Sequence, residues 1–426
     1  MAPLDDAPKL DRATLIHGIY RALLNTGRTY AAFEDGQIAP LIDRLRDRGE
    51  ILDPMSGYGS LMRYCAYSTH PLRSYCMEAN EPAHFWQLLM HPRHSKAWIE
   101  LADRILACKS AWPRSGMAAT TSDDWFPPES QRILLKLWEV CLRETGKCPF
   151  RRGPSCEYLA IAFLLPFCGR LAAMVQGSVV THVKRGGICV YRGWKVDFEK
   201  YVRRLRANLA KQVQLSKRTT HTIVLGDCLD AKLPLKRFSA MITSPPYPNS
   251  RDYSSMFLPE LDFIRLLKDR GFLGTLPSQA RLIGSPIVSP SEGCPKRTVN
   301  DVMSGSAREF LHGLEKHKGT KNTVYDIEVY YLPYFSNYFV AIEQAYCHLS
   351  SALSDDFEGY IIVVNNTARK TVVPVAAAIV ETWKRLGFSA SIEDEFSREL
   401  SHVGGLNPRV KGLSARHMEY TVKVWR

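Results

Sequence analysis

What the sequence lacks narrows it first. No Cys-x-x-Cys pair occurs; the eleven cysteines stand singly from Cys65 to Cys347. An odd count in a long chain argues against a disulfide framework, so they read as reduced, buried small side chains of a cytoplasmic protein. No stretch approaches the roughly 20 apolar residues of a membrane span. The most apolar run, Tyr158 to Cys168, contains Pro166 and stops at Arg170, which predicts a core helix. The N-terminal MAPLDDAPKLDR is polar and acidic, without the basic start and apolar run of an export signal. There is no internal repeat and no low-complexity tract, which excludes solenoids and arrays. His91 and His94 are close, yet no third and fourth ligand follow at zinc spacing; they are predicted to lie on the surface, and no metal is expected.

What is present is a chain of 426 residues, 45 % hydrophobic and 23 % charged, an ordinary globular composition. Single cores stop growing at roughly 250–300 residues, so one large domain with insertions, or two domains, is expected. Lys and Arg number 56 against 43 Asp and Glu, a formal net charge of +13, with a sequence pI near 9.2.

Residues 11–25 place Leu15, Ile19 and Leu23 four apart, which predicts a helix closed by Gly27, and a second helix is predicted from Ile38 to Arg48. The pattern then turns to strand, glycine turn and helix: ILD, PMSGYGS, LMRYCAY. A strand candidate at Ser74–Met77 ends on Glu78, opening a β-α-β unit. Residues 92–180 read as helical, more helix than one crossover needs. Strand patterns resume at Thr220–Asp227 and Ser239–Pro246. Residues 267–325, rich in Gly, Pro and Ser, read as a long surface insertion instead of core. A helix at Tyr334–Leu353, the strand EGYIIVVNN, a helix at Val375–Leu386 ended by Gly387, and EYTVKVWR as an edge or antiparallel strand complete the chain. The organisation expected is therefore 1–91 with the glycine turn, a helical insertion at 92–219, a strand and loop at 220–266, a loop-rich insertion at 267–325, and 326–426 closing the fold.

Two segments carry chemistry. In DPMSGYGS, Asp53 to Ser60, Gly57 and Gly59 let the backbone approach a ligand, and Glu78, about 25 positions on at the next strand end, is placed to hold a ribose diol. The spacing fits a nucleoside-containing cofactor, although Asp53 and Pro54 ahead of the glycines differ from the dinucleotide pattern; an ordinary tight turn would read the same way. In TSPPY, Thr243 to Tyr247, two prolines remove two donors and stiffen the main chain after an apolar strand. The Ser244 hydroxyl, the carbonyls of Ser244 and Pro245, and the Tyr247 ring suit a planar base bearing an amino group; a rigid loop with a packing tyrosine is the structural alternative.

Together these segments resemble the amino-directed DNA methyltransferases that use S-adenosylmethionine, of the N4-cytosine type. In that family an Asp-Pro-Phe-x-Gly-x-Gly turn binds the methionine part of the cofactor and Ser-Pro-Pro-Tyr holds the target amine. GDCLD (Gly226 to Asp230) resembles the family's segment before the catalytic strand, with Asp227 near the cofactor adenine. Asn249, Asp252, Tyr253 and Glu260 match a stretch seen in some members, and YIIVVNNTARKTVVPV followed by a helix resembles the family's C-terminal half. About half the chain, 28–90 and 220–425, is covered. Met55 stands where the family has Phe, Tyr58 where it has a small residue, and Ser60 where it has Thr, which bears on the tightness of cofactor binding.

The resemblance implies an α/β, Rossmann-like class I methyltransferase fold: a mainly parallel sheet with an antiparallel last strand and inserted helical and loop-rich regions. It implies S-adenosylmethionine held by Asp53, Pro54, Met55, Ser56, Gly57, Gly59, Glu78, Asn80, Asp227 and Cys228. Ser244, Pro245, Pro246 and Tyr247 would carry the transfer to a base flipped from the duplex. The chain has no Pro-Cys dipeptide of the kind that C5-cytosine enzymes use, so Cys228 reads as packing beside the cofactor. Between Thr181 and Thr220, eleven Lys and Arg face only Asp197 and Glu199. Tyr201, Leu205, Leu209 and Val213 recur every four residues there, an apolar stripe with basic flanks suited to a phosphate backbone. Lys184, Arg185, Arg203, Arg204 and Arg206, with Arg251 beyond Tyr247, are the expected DNA contacts; a solvated basic helix is the alternative. Both insertions, the second with Arg281, Lys296 and Arg297, are candidates for target recognition.

The function expected is methylation of the cytosine N4 amine in double-stranded DNA by a stand-alone modification enzyme associated with the nucleoid. A restriction or antiphage partner follows by analogy alone. Two alternatives stand beside it: an N6-adenine enzyme, disfavoured by Ser before Pro-Pro-Tyr, and a nucleic-acid-binding protein on the same fold without turnover. No residue excludes RNA as substrate.

Overall fold

The computed structural model describes residues 35–426 apart from 69–71, 114–124, 151–153, 177–192, 216–219, 249–256, 272–282, 284–296, 317–326, 369–370 and 400–415. The predicted helix at 11–25 lies outside the described residues, as do Lys184, Arg185, Asn249, Arg251, Asp252, Tyr253, Arg281 and Lys296.

Seven strands form one sheet in the order β3-β2-β1-β4-β5-β9-β8. The first five are β1 (Glu50–Asp53), β2 (Arg73–Glu78), β3 (His221–Leu225), β4 (Phe238–Thr243) and β5 (Leu353–Val364), all mutually parallel. β9 (Arg416–Trp425) inserts antiparallel between β5 and β8 (Ser389–Glu399). A separate two-residue pair, β6 (Thr367–Ala368) with β7 (Thr371–Val372), follows β5. The fold is thus α/β with a mostly parallel mixed sheet, compatible with a Rossmann-like arrangement. The C-terminal segment is antiparallel as expected, but it is an interior strand; β8 takes the edge.

Alternation along the strands sets which residues meet which layer. Ile51, Ala240, Ile242, Tyr360 and Ile362 point to one face and pack with Ile38, Leu41 and Ile42 of α1 (Asp35–Arg44) and Leu61 and Cys65 of α2 (Ser60–Tyr67). Their neighbours Leu52, Met77, Met241, Ile361 and Val363 point to the other face. They pack with α9 (Gly305–Glu315), α10 (Leu332–Ser350) and α11 (Val375–Arg385). Each large apolar side chain so buried contributes about 1.5–3 kcal/mol. Alternation of two apolar sets on one strand is what a sheet covered on both faces requires.

The helices between β2 and β3 build a third cluster. α3 (Glu81–Met90), α4 (Ser95–Ala107), α5 (Pro128–Thr145), α6 (Cys156–Gln176) and α7 (Trp194–Leu215) share one apolar core with α8 (Leu258–Asp269), which follows β4. Leu159 to Cys168 of α6 are nearly all fully buried, so the most apolar run is a core helix. No helix among the described residues is long and apolar enough to cross a membrane.

Two expectations are corrected. Residues 305–315, read as surface insertion, form α9, with Ala307, Phe310, Leu311 and Leu314 buried in the sheet's core. His91 and His94 are buried instead of exposed. His91 Nε2 lies 3.0 Å from the carbonyl of His221, whose Nδ1 lies 2.9 Å from Ser74 Oγ. Burial holds His94 down to about 4 and His221 to about 3, so near neutral pH these rings pack as uncharged groups. They join β3 to the helical layer.

Candidate active site

The strand order reverses its progress between β1 and β4, and at such a point an open α/β sheet leaves a crevice beyond the carboxyl ends. Both chemistry-bearing segments emerge there: 53–60 from β1 and 243–247 from β4. One cavity is lined by Asp53, Pro54, Met55, Ser56 and Gly57, by Glu78 and Asn80, by Asp227 and Cys228, and by Ser244, Pro245, Pro246 and Tyr247. Segments nearly 200 residues apart therefore share one site. Gly59 is the exception among the predicted wall residues. Its φ is +74° at the start of α2, and a Cβ there would meet Gln87 Cγ at 3.0 Å and Met62 at 3.3 Å. It shapes the turn from beneath instead of lining the cavity.

The turn is held by specific bonds. The Ser56 hydroxyl donates to Met77 O at 2.8 Å, the Gly57 N–H donates to Glu78 Oε2 at 2.6 Å, and the Asn80 N–H donates to Glu78 Oε1 at 2.8 Å. Gln87, fully buried on α3, donates to Ser56 Oγ at 2.7 Å and to Gly57 O at 2.5 Å. Gly57 has φ +52°, and a Cβ there would meet no atom within 4 Å. A left-handed residue other than glycine costs roughly 1–2 kcal/mol. Tyr58, large where the related motif is small, packs against Trp86 and Phe257 with ring centroids 6.0 and 5.7 Å away.

The two halves are tied through Asp53. Thr243 Oγ1, the last residue of β4, donates to Asp53 Oδ1 at 2.8 Å. Ser244 Oγ lies 2.9 Å from the Tyr247 hydroxyl, and Asn366, just past β5, donates through Nδ2 to Pro248 O at 2.6 Å, pinning the far end of the proline loop. Asn365 Oδ1 accepts from Ala376 N at the start of α11. The Asn-Asn pair thus fixes two neighbouring segments.

Burial dominates the electrostatics. It raises Asp53 to about 7, against the opposing hydrogen bonds from Thr243 and Met55. It raises Glu78 to about 8, opposed by the Asn80 and Gly57 amides and helped by the charges of Asp53 and Asp227. The Asp227 carboxylate accepts from Leu229 N at 3.0 Å. Burial, with Asp227 and Glu78 nearby, pushes the Cys228 thiol well above its ordinary range, so it is a thiol and a poor nucleophile. Three carboxyl groups thus converge on the β3-β2-β1 side, where they favour a cation and hydroxyl donors.

Sequence reasoning missed Gln37, Phe257, Ile283, Ile362 and Glu419 on the cavity wall. They come from five separate segments, and none belongs to a compact motif. Of the expected DNA contacts, Arg203, Arg204 and Arg206 are exposed on α7, while Tyr201, Leu205 and Leu209 are buried on its other side. Arg203 pairs with Glu199 at 2.8 Å and Arg206 with Asp103 at 2.5 Å, so part of that charge is met within the protein. No group of three or more His, Cys, Asp or Glu among the described residues could hold a metal ion. No protein-family model matches the chain, and no curated protein matches it.

Proposed function

We propose that the protein transfers a methyl group from S-adenosylmethionine to the exocyclic N4 amine of cytosine in DNA. The observation that carries this reading is the single cavity shared by the glycine turn after β1 and Ser244-Pro245-Pro246-Tyr247 after β4. The sheet order, with an antiparallel strand set between β5 and β8, supports the class I methyltransferase fold that the motifs imply.

The residues present fit the cofactor. Gly57 turns a bare backbone towards the cavity, with no atom within 4 Å of where a Cβ would stand. Gln37 Nε2, buried on the same wall, has no hydrogen-bond partner among the described residues, a donor suited to a carboxylate. Glu78 suits a ribose diol, since each of its oxygens accepts one amide bond and retains a lone pair. Asp227 and Cys228 border the place for the adenine, and Asp53 with Asn80 the methionine portion. The bound cofactor supplies an electrophilic methyl group on a sulfonium.

The chain's own work lies on the β4 side. A cytosine amine is conjugated with its ring and is a poor nucleophile. The Ser244 hydroxyl and the Pro245 carbonyl accept hydrogen bonds from its N–H groups and draw the lone pair out of conjugation, while Tyr247 stacks on the ring. Held geometry of this kind contributes roughly 7–11 kcal/mol to a two-reactant step. Flipping the base costs a few kcal/mol, and the exposed basic face of α7 supplies phosphate contacts towards it. No covalent intermediate with the protein is required, in keeping with the buried, protonated Cys228.

Calorimetry with S-adenosylmethionine tests the cofactor half directly. One-site binding, competed by S-adenosylhomocysteine, is expected; a folded protein that binds neither would support the reading without turnover.

A further inference from the structure

The cavity runs along the carboxyl ends of β1 to β5 and the amino-terminal part of the antiparallel β9, and its two sides differ. On the β4-β5-β9 side the wall is Tyr247, Phe257, Ile283 and Ile362, largely apolar, with one carboxylate among them, Glu419. Glu419 is 4 % exposed, so its side chain sits within the cavity wall instead of reaching open solvent. It pairs in register with Val364, the last residue of β5. That sets it at the same edge from which β4 delivers Ser244, two strand spacings away, about 10 Å between backbones. Ser244 and Glu419 line the same cavity from either side of β5.

Resting on the methyl-transfer reading, we propose that Glu419 accepts a hydrogen bond from the target amine and then takes its proton. An amine that gains a methyl group becomes a cation and must lose a proton to finish. The hydroxyls of Ser244 and Tyr247 and the Pro245 carbonyl accept hydrogen bonds, but none holds a proton near neutral pH. Asp53, the last residue of β1, lies on the side assigned above to the methionine portion of the cofactor, where it accepts from Thr243 and the Met55 amide. The step balances as follows: the N–C bond forms while the C–S bond of the sulfonium donor breaks, its electron pair staying on sulfur. The positive nitrogen then gives one proton to the Glu419 carboxylate. Products are the methylated amine, the thioether and a carboxylic acid that returns its proton to solvent. A carboxylate at this position also discriminates in favour of bases that present an amine, because the oxo group of thymine or uracil would meet it acceptor to acceptor.

The test has a catalytic and a binding arm. In single-turnover methylation of duplex DNA, Glu419→Gln is expected to lose at least about 100-fold in rate, as for a removed general base, while calorimetric S-adenosylmethionine affinity stays within about twofold. Glu419→Asp, which keeps a carboxylate and guards against a folding defect in the Gln variant, is expected to retain more activity than Gln. With S-adenosylhomocysteine in place of the donor, the wild type should bind a duplex carrying the target cytosine about tenfold more tightly than one carrying uracil there, the worth of one hydrogen bond to a charged group. Glu419→Ala should lose that preference. A Gln variant as fast as wild type, an Asp variant as slow as Gln, or an undiminished preference in the Ala variant would each overturn the role of Glu419 alone. A wild-type protein that methylates no amine would instead overturn the methyl-transfer reading, and this role with it.

Discussion

The two sides of the cavity are built by different means. The β3-β2-β1 side is a backbone cradle: a turn with two left-handed glycines, amides aimed at Glu78, and three carboxyl groups drawn together by strand ends. The β4-β5-β9 side is a slot of rings and prolines, stiffened by missing N–H groups and pinned at its end by Asn366. The difference teaches that the first side tolerates little change of backbone, while the second depends on which side-chain atoms face the ligand. The Thr243–Asp53 hydrogen bond and the Tyr58–Phe257 ring contact tie the two sides, while Ser244, Tyr247 and Gly57 lie outside both ties, so each side should be separable by mutation at those positions.

The sharpest separation is expected from Ser244→Ala and Tyr247→Ala. Ser244→Ala should lower methyl transfer by about 100-fold or more, the scale of a removed transition-state hydrogen bond, and Tyr247→Ala by about 10- to 100-fold, the scale of a lost base–aromatic stack, with S-adenosylmethionine affinity nearly unchanged by calorimetry in both. Gly57→Val breaks the comparison from the other side. Strain at φ +52° and a branched side chain in the cavity should lower cofactor affinity by more than about tenfold, measured by the same titration. An active Tyr247→Ala protein would remove the slot from the account.

A smaller effect sharpens the electrostatic contrast. Asp53 and Glu78 sit near 7 and 8 in the free protein, so both are largely protonated at pH 6. A cationic ligand favours their ionised forms, and binding must therefore release protons. Affinity for S-adenosylmethionine should rise from pH 6 to pH 8 and level off above, with buffer-dependent heats reporting the released protons. Thioether ligands lacking the sulfonium charge should show a weaker slope. Smallest of all, Arg204→Glu with Lys211→Glu on the exposed face of α7 should weaken DNA binding at low salt and flatten its salt dependence by about two phosphate contacts. Cofactor affinity should be untouched.

The same contrast explains what was legible in the sequence. The cradle is contiguous: strand, Gly-x-Gly turn and helix follow within twenty residues, and Glu78 closes the next strand. The proline loop is likewise one short segment. The rest of the slot is scattered over Phe257, Ile283, Ile362 and Glu419, each unremarkable beside its neighbours, and only the fold brings them to one cavity. Gln87 carried no signal either, because an amide in an apolar helix reads as surface until its two bonds to the turn are seen.

Fold elements followed the same logic. β1, β4 and the second half of β5 are short apolar runs buried on both faces, and they read clearly. β8 escaped because SASIEDEFSRE has no sustained apolar alternation; it is an edge strand whose residues 391–395 are exposed. α9 was hidden by glycine-, proline- and serine-rich flanks, though Ala307, Phe310, Leu311 and Leu314 carry a helical spacing. Polarity alone suggests exposure for the histidines at 91 and 94, whereas backbone hydrogen bonds to the His91 ring and packing of the His94 ring against His91 and Phe150 let neutral imidazoles lie inside.

The central claim is that both sides act together on one amine. Incubating the purified protein with unmethylated genomic DNA and S-adenosylmethionine, digesting to nucleosides and measuring each methylated base by mass spectrometry tests it most directly. The account predicts 4-methylcytosine, formed at least about 100-fold more slowly by a Ser244→Ala control. A 6-methyladenine signal would contradict the assignment of the base, and no methylated base at all, from folded protein that binds the cofactor, would contradict methyl transfer to DNA itself.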